Sequence, residues 1–388
     1  MQSTNDPCLS GIPKVLLVGA GVVGRAIADA HAVGRIPFYF ADCSEDSLNQ
    51  AARRLAESEI PVEQVRCPID GMFMCSVGET KTVDPDQPLV VIESIIEQVD
   101  AKRKLFTQIQ EHFGGDAVLC SNTSTLQIDE IAGKTLASPQ RLCGMHFFMP
   151  VHARAAVEVV SGIRTDPEVI DAVVRHATRI GKRAIRCKDG PGFIVNRMLS
   201  PYLNQSLLLL CRGATEDQIN RAALAFGMPM SPLELIDWIG APTMYHAGKA
   251  FWSAFPNRID PSPIIPALVK QKRLGRSGGA GLFDYADGQR STTLSDAACQ
   301  LVQRYRLETK DLTDGDVLML LSIPMWIEAN SLLEEGIADS MATVDLAMAG
   351  GLGFSGDMSW SGFFAEVGAD CIDDAIRKWQ SDFRSMRR

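Results

Sequence analysis

Apolar and polar positions along the chain change rhythm once, near residue 190. Before that point, short unbroken apolar runs alternate with stretches of helical spacing. Val15–Val18, PFYFAD (37–42), QPLVVIES (87–94), the run ending at Leu119–Cys120, two runs within 143–160 and RAIRC (183–187) each read as a strand. Runs of this length without polar alternation suit strands covered on both faces. Between them, segments such as IIEQVDAKRKLFTQIQEHF carry apolar residues at helical spacing. The alternation predicts a doubly wound parallel sheet, in which ligands collect at the C-terminal strand ends. After about Asp189 the strand signals stop. Amphipathic helical segments run to the end, broken by Pro/Gly stretches at 255–266 and 275–281.

The helical half contains a repeat. PYLNQSLLLLCRG (201–213) aligns without gaps with PMWIEANSLLEEG (324–336), and each is followed by a helix and a Gly/Phe turn. Two long copies are too few for a solenoid and read as a duplicated helical module.

The first strand leads directly into Gly19, Gly21 and Gly24, a G-x-G-x-x-G pattern followed by an apolar-periodic helix. The glycines allow a tight turn, close approach of backbone to a pyrophosphate and close helix–strand packing, and the helix N-terminus offers free N–H groups. The second strand ends in Asp42. An acid there suits a ribose 2′-hydroxyl and repels a 2′-phosphate, which favours NAD over NADP. Asp42, Glu93–Glu97, Ser121–Ser124 and His146 all follow strand ends, so one crevice is expected to gather them.

Composition narrows the classes. At 388 residues the chain is long enough for two or three domains, and 46% hydrophobic with 22% charged residues excludes disorder. A net charge of -9 argues against nucleic acid or an anionic membrane as partner. Ten scattered cysteines without metal-ligand spacing read as reduced, mostly buried thiols. No targeting signal is visible at the N-terminus, and no apolar run approaches the ~18 residues of a membrane span, so a cytoplasmic protein is expected.

CGMHFFMPVHARAAVEVV (143–160) raises the question of chemistry. His146 lies among Phe147, Phe148 and Met149, and Glu158 follows twelve residues later. On its own the pair reads first as a hydrogen-bonded core histidine beside an unrelated glutamate. As a working pair it suits oxidation of a secondary alcohol. Histidine titrates near neutrality and can take the hydroxyl proton, while a carboxylate on its far nitrogen fixes the tautomer and stabilises the imidazolium.

VGAGVVGRAIA, VIESIIEQVDAKRKLF, SNTSTLQIDEIA, HFFMPVHARAAVEVV and KDGPGFIVNRMLSPY occur in this order. The series resembles the L-3-hydroxyacyl-CoA dehydrogenase family, most of all the dehydrogenase part of multifunctional fatty-acid oxidation enzymes. The resemblance implies an NAD-binding Rossmann-type domain over 1–189. It implies a 6-phosphogluconate-dehydrogenase-like helical domain over 190–300 and a structural second module over 301–388. The implied activity is oxidation of L-3-hydroxyacyl-CoA to 3-oxoacyl-CoA in fatty-acid β-oxidation. His146 falls on the family's general base and Glu158 on its orienting glutamate. Ser124 and Asn196 fall on the residues that hold the substrate's oxygens, with helix N-capping the competing role for Ser124. Gly19, Gly21, Val22, Val23, Gly24, Asp42, Glu97, Lys102 and Asn122 fall on the cofactor set, although Glu97 and Lys102 read equally as a solvated helix face. No metal is implied.

Departures stand beside the match. Met149 replaces a polar residue next to the histidine, Gln205 replaces a glutamate, Ser231 precedes Pro232, and Ser277 stands where a basic residue is expected, while Asp237 is retained. The segment between Asp42 and VIES is short where single-function relatives have a helical hairpin that contacts coenzyme A. Arg53, Arg54, Lys270, Lys272 and Arg273 are candidates for its phosphates. A free 3-hydroxy acid or a carrier-bound acyl group is therefore an alternative substrate, and a non-catalytic NAD-binding protein an alternative class. The resemblance further implies a monomer with a built-in pseudo-dimer interface and a separate hydratase or thiolase partner.

Overall fold

The computed structural model describes residues 14–78 and 89–388, so the N-terminal reading and the first two residues of QPLVVIES fall outside the described residues. The chain divides into two compact units, Met1–Asp189 and Gly190–Arg388.

The first unit is built on one nine-stranded sheet. Its strands are β1 (Lys14–Val18), β2 (Phe38–Asp42), β3 (Val62–Val65), β4 (Phe73–Val77), β5 (Leu89–Glu93), β6 (Val118–Ser121), β7 (Leu142–Phe147), β8 (Ala156–Ser161) and β9 (Arg183–Lys188), in the order β3-β4-β2-β1-β5-β6-β7-β8-β9. The central β2-β1-β5-β6-β7 pairs are parallel. Helices α1 (Val22–Val33), α2 (Glu45–Ala56), α3 (Val99–Phe113), α4 (Ile128–Ala132) and α5 (Pro167–Arg179) connect the strands. The doubly wound α/β architecture expected from the apolar runs is present.

Three pairs depart from the parallel expectation. β3–β4 forms an antiparallel hairpin added to β2, and β8 returns antiparallel to β7. The connection from Phe147 to Ala156 is too short for the crossover that a parallel return needs. Register does the rest: His146 pairs directly with Glu158 across the two strands. The twelve-residue spacing is thus that of a short antiparallel return, which puts both side chains on one face of the sheet.

The second unit opens with α6 (Val195–Cys211), α7 (Glu216–Phe226), α8 (Pro232–Ile239), α9 (Ala241–Ala254) and α10 (Ile264–Lys270). A small β10 (Tyr285–Ala286) and β11 (Gln289–Arg290) hairpin precedes α11 (Asp296–Arg304). Then come α12 (Asp314–Glu334), α13 (Met341–Ala347), α14 (Trp360–Val367) and α15 (Ala369–Trp379). The expected module boundary at 300/301 falls inside α11, so no element ends there.

The repeat corresponds to α6 and α12, which carry internal prolines at equivalent positions, Pro201 and Pro324. α12 packs on α6 and α7. Arg197 of α6, fully buried, donates to Glu328 at 2.9 Å and to both oxygens of Glu335 at 2.5 and 2.7 Å. Arg258 reaches the same two glutamates at 2.9 and 2.8 Å, and the Phe255 ring lies within 4.5 Å of both guanidiniums. By length and composition α12 meets the test for a membrane span, contrary to the sequence expectation. More than half of its apolar window is buried in the unit, as in a core helix.

Asp237, the retained acid, is 2% exposed and accepts Leu282 N at 2.7 Å, Phe283 N at 2.9 Å and the Tyr285 hydroxyl at 3.2 Å. It clamps the loop around Gly281, where an added Cβ would meet its carboxylate at 2.1 Å. The residue is structural. Arg273 is engaged on the same loop through Gly281 O, Phe283 O and Asp284.

Candidate active site

The C-terminal ends of β1, β2, β5, β6 and β7 converge on the glycine turn and His146. Gly19 N donates to Ala41 O at 2.8 Å and Ser94 N to Val18 O at 2.7 Å, so the ends of β1, β2 and β5 are pinned together. Gly24 is required here. A Cβ on it would stand 1.7 Å from Gly19 O, because α1 starts directly against the turn. Gly21 is different: a Cβ there would meet nothing within 4 Å, and the backbone faces open space.

That open space fits a dinucleotide. The N–H groups of Val22, Val23 and Gly24 begin α1 and have no intrahelical acceptor, and Gly21 caps the helix without a side chain. Asp42 accepts Ala20 N at 2.6 Å through Oδ2 and Ser44 N at 2.7 Å through Oδ1. A carboxylate has about four acceptor positions, so two remain for ribose hydroxyls. Val22 and Ile96 expose 68% and 61% of their surface beside this turn, apolar area that a bound cofactor would shield.

Behind the crevice runs a polar chain largely hidden from the sequence. Lys102 is 1% exposed, and its ammonium donates to Glu93 at 2.8 and 2.9 Å and lies 3.3 Å from Glu97. The solvated-face reading of Lys102 is therefore wrong. Glu93, itself fully buried, also accepts the Ser121 hydroxyl. Oε1 of Glu97 accepts Thr123 Oγ1 at 2.6 Å, Ser124 N at 2.9 Å, Thr125 N at 3.0 Å and Thr125 Oγ1 at 3.0 Å. Burial alone would raise the Glu97 carboxyl. The Lys102 charge and these hydrogen bonds outweigh it and hold the group below the usual carboxylate range.

This cradle fixes Ser124. Helix α4 begins after Gln127 without a side-chain cap, so Ser124 is not its N-cap. Its hydroxyl lies 3.1 Å from His146 Nε2. On the other side of the ring, His146 Nδ1 is 2.7 Å from Glu158 Oε2. Glu158 is 0% exposed and His146 4%, and the Phe148 ring packs edge-on against the imidazole at 5.2 Å. An acceptor-only carboxylate requires Nδ1 to carry the proton. The Nε2 lone pair then points at Ser124, where a substrate hydroxyl would also have to lie.

Asn122 Oδ1 accepts Phe147 N at 2.8 Å, which ties the end of β6 to the histidine strand, and its backbone N–H donates to Glu93 O of β5 at 2.9 Å. Met149, 43% exposed, follows Phe148 and precedes a cis Pro150. Lys182, which sequence reasoning passed over, donates to Val151 O at 2.6 Å and Arg154 O at 2.7 Å and holds the β7–β8 connection. Glu93 had left a trace, an acid closing an apolar strand. Lys182 left none, since a lysine before a strand looks like any surface cation.

Asn196 belongs to the second unit, in the first turn of α6. Gln205, also on α6, is buried and accepts the Ser385 hydroxyl at 2.8 Å. Arg53 and Arg54 are exposed on α2, Arg54 paired with Asp29, while Lys270 ends α10 and Lys272 follows in the turn after it.

Two family models match the chain. The 3-hydroxyacyl-CoA dehydrogenase NAD binding domain matches residues 14–190, and the C-terminal domain of the same family matches residues 192–285. Among solved structures, 3-hydroxybutyryl-CoA dehydrogenase from Escherichia coli K12 is similar over 95% of this chain and 94% of its own, at 24% identity and a TM-score of 0.75. (S)-3-hydroxybutyryl-CoA dehydrogenase from Ralstonia eutropha is 28% identical over 71% of this chain and 100% of its own, with a TM-score of 0.58. The dehydrogenase part of multifunctional enzyme 1 from C. elegans matches 95% of this chain and 85% of its own at 22% identity, with a TM-score of 0.62.

Proposed function

Because the chain belongs to the 3-hydroxyacyl-CoA dehydrogenase family, and is thus an NAD-dependent oxidoreductase acting on a CH–OH group, we propose that it interconverts L-3-hydroxyacyl-CoA and 3-oxoacyl-CoA with His146 as general base. The observation that carries this reading is the buried Glu158–His146–Ser124 chain, at 2.7 and 3.1 Å.

The glycine turn, the α1 N-terminus and Asp42 would hold NAD, which would supply the hydride acceptor. The protein's own groups manage the proton. Nε2 of His146 accepts the proton of the substrate's 3-hydroxyl, and the Glu158 carboxylate stabilises the resulting imidazolium through Nδ1–H. The Ser124 hydroxyl turns from Nε2 to donate to the substrate oxygen as it becomes a carbonyl. Glu97 keeps that hydroxyl in place by holding the 123–125 turn. To Asn196 we assign the second substrate oxygen, on the family resemblance of PGFIVNR. The second helical copy takes the part of a partner subunit in this reading, and sedimentation as a monomer is its expected result.

Reduction of 3-oxoacyl-CoA by NADH, assayed over short, medium and long acyl chains, tests the reading. Absence of turnover at every length in protein that binds NADH would overturn it. A second reading, a free 3-hydroxy acid or carrier-bound acyl substrate, is favoured by the segment after Asp42. Its described residues form α2 and the β3–β4 hairpin instead of a helical hairpin. Free CoA inhibits the first enzyme competitively and leaves the second unaffected.

A further inference from the structure

The second unit contains a cavity of about 620 Å³ that the reaction above does not use. It lies at the C-terminal end of α6, and all of its lining residues belong to the second unit. The charged ones are Arg212, Arg306, Arg384 and Arg387 against Asp260 and Asp382. A surplus of positive charge in one concavity stands out in a chain of net charge -9.

The carboxylates are already engaged. Asp260 pairs with Arg384 at 2.8 Å, while Asp382 pairs with Lys310 at 3.0 Å and lies 3.6 Å from Arg212. The Arg306 guanidinium donates to Thr309 Oγ1 at 3.3 Å and that of Arg387 to Gln380 O at 2.9 Å, and neither meets a carboxylate among the described residues. The buried Nε of Arg212 has no acceptor, and its guanidinium lies over the Phe383 ring at 4.9 Å. Helix capping does not account for these cations. The last carbonyls of α6 already accept the backbone N–H groups of Arg212, Gly213 and Ala214, and those of Cys211 and Arg212 accept Leu307 N and Lys310 N. Beside the arginines, Pro261, Pro263, Tyr305 and Leu307 provide an apolar wall.

We propose that this cavity binds an organic phosphate ester of about nucleotide size, with Arg306 and Arg387 on the phosphate and the Tyr305–Leu307 wall against its apolar body. Guanidiniums without carboxylate partners match phosphate oxygens bidentately, and the volume lies within the usual range of ~300–1,000 Å³ for small-ligand sites. The site stands independently of the catalytic reading, because none of its residues takes part in the proton chain.

The experiment uses the full chain saturated with NAD, so that the dinucleotide turn is filled. Adenosine 5′-monophosphate and inorganic pyrophosphate are titrated separately by calorimetry into wild type, Arg306→Glu/Arg387→Glu and Arg306→Gln/Arg387→Gln. Both arginines are exposed, and an unchanged unfolding midpoint and dehydrogenase rate identify folded variants. The expected result is a wild-type binding component, ten times or more tighter for the nucleotide than for pyrophosphate. It weakens about tenfold in the glutamine variant and disappears in the glutamate variant. Three results would overturn the proposal: no heat in the wild type, equal binding in all three proteins, or pyrophosphate binding as tightly as the nucleotide.

Discussion

Glu158→Gln isolates the carboxylate's contribution to proton transfer. The side chain is 0% exposed and 2.7 Å from His146 Nδ1, on a strand position directly opposite the histidine. Glutamine has nearly the same shape, so the strand pair and its packing persist. Its amide oxygen can still accept Nδ1–H, but it brings no negative charge to the imidazolium. A hydrogen bond to a charged group contributes roughly 1.5–3 kcal/mol, against about 0.5–1.5 kcal/mol for a neutral one. Exchanging the one for the other where the imidazolium forms costs roughly 1–1.5 kcal/mol, and at a factor of ten per ~1.4 kcal/mol this makes kcat about 5- to 12-fold lower. Ground-state binding does not involve the imidazolium, so KM and the NADH dissociation constant stay within about twofold. The assay is steady-state reduction of acetoacetyl-CoA, with NADH binding followed separately by fluorescence. A kcat within twofold of wild type, or a loss confined to KM, would refute the argument that Glu158 acts on the protonated ring.

Three further outcomes follow from other parts of the molecule. His31 and His176 are buried against each other, Nε2 to Nε2 at 2.9 Å, with His31 Nδ1 on Ile27 O at 2.8 Å. Burial lowers them to about 4 and about 3 respectively, His31 and Arg179 adding to the effect on His176. The unfolded chain therefore takes up protons first, so stability falls as pH drops from about 6.5 toward about 4, by up to roughly 5 kcal/mol for both by pH ~4.5. Urea unfolding of wild type and His31→Phe/His176→Leu checks this, and equal pH slopes would contradict it. Asp237→Ala strands the buried Leu282 and Phe283 N–H groups and costs roughly 2–6 kcal/mol, read as a lower urea midpoint, while Asp237→Asn costs less. Gly24→Ala forces a methyl against Gly19 O and lowers NAD affinity at least tenfold by calorimetry; unchanged affinity would show that the turn can open without loss.

The sheet, the glycine turn and the helical second half were legible because each depends on local pattern: apolar runs, glycines at fixed offsets, helical spacing. His146 and Glu158 were legible as residues but not as a pair. Their contact depends on β8 returning antiparallel, and apolar runs carry no sign of strand direction. The β3–β4 hairpin was missed because VEQV is short and half-exposed at the sheet edge. Lys102 misled for a related reason. On α3 its helical position reads as surface, and only the strand-end Glu93 behind it makes burial of the ammonium tolerable. Ser124 had two competing roles in sequence, and three-dimensional placement separated them, since the helix starts three residues too late for it to serve as the cap.

The most direct test of the central claim is the turnover of His146→Gln with acetoacetyl-CoA and NADH, measured beside its NADH affinity. The expected result is a kcat about a hundred- to ten-thousandfold lower, with cofactor affinity unchanged, since the imidazole moves the proton and takes no part in holding NAD. Turnover of His146→Gln close to that of the wild type would contradict it.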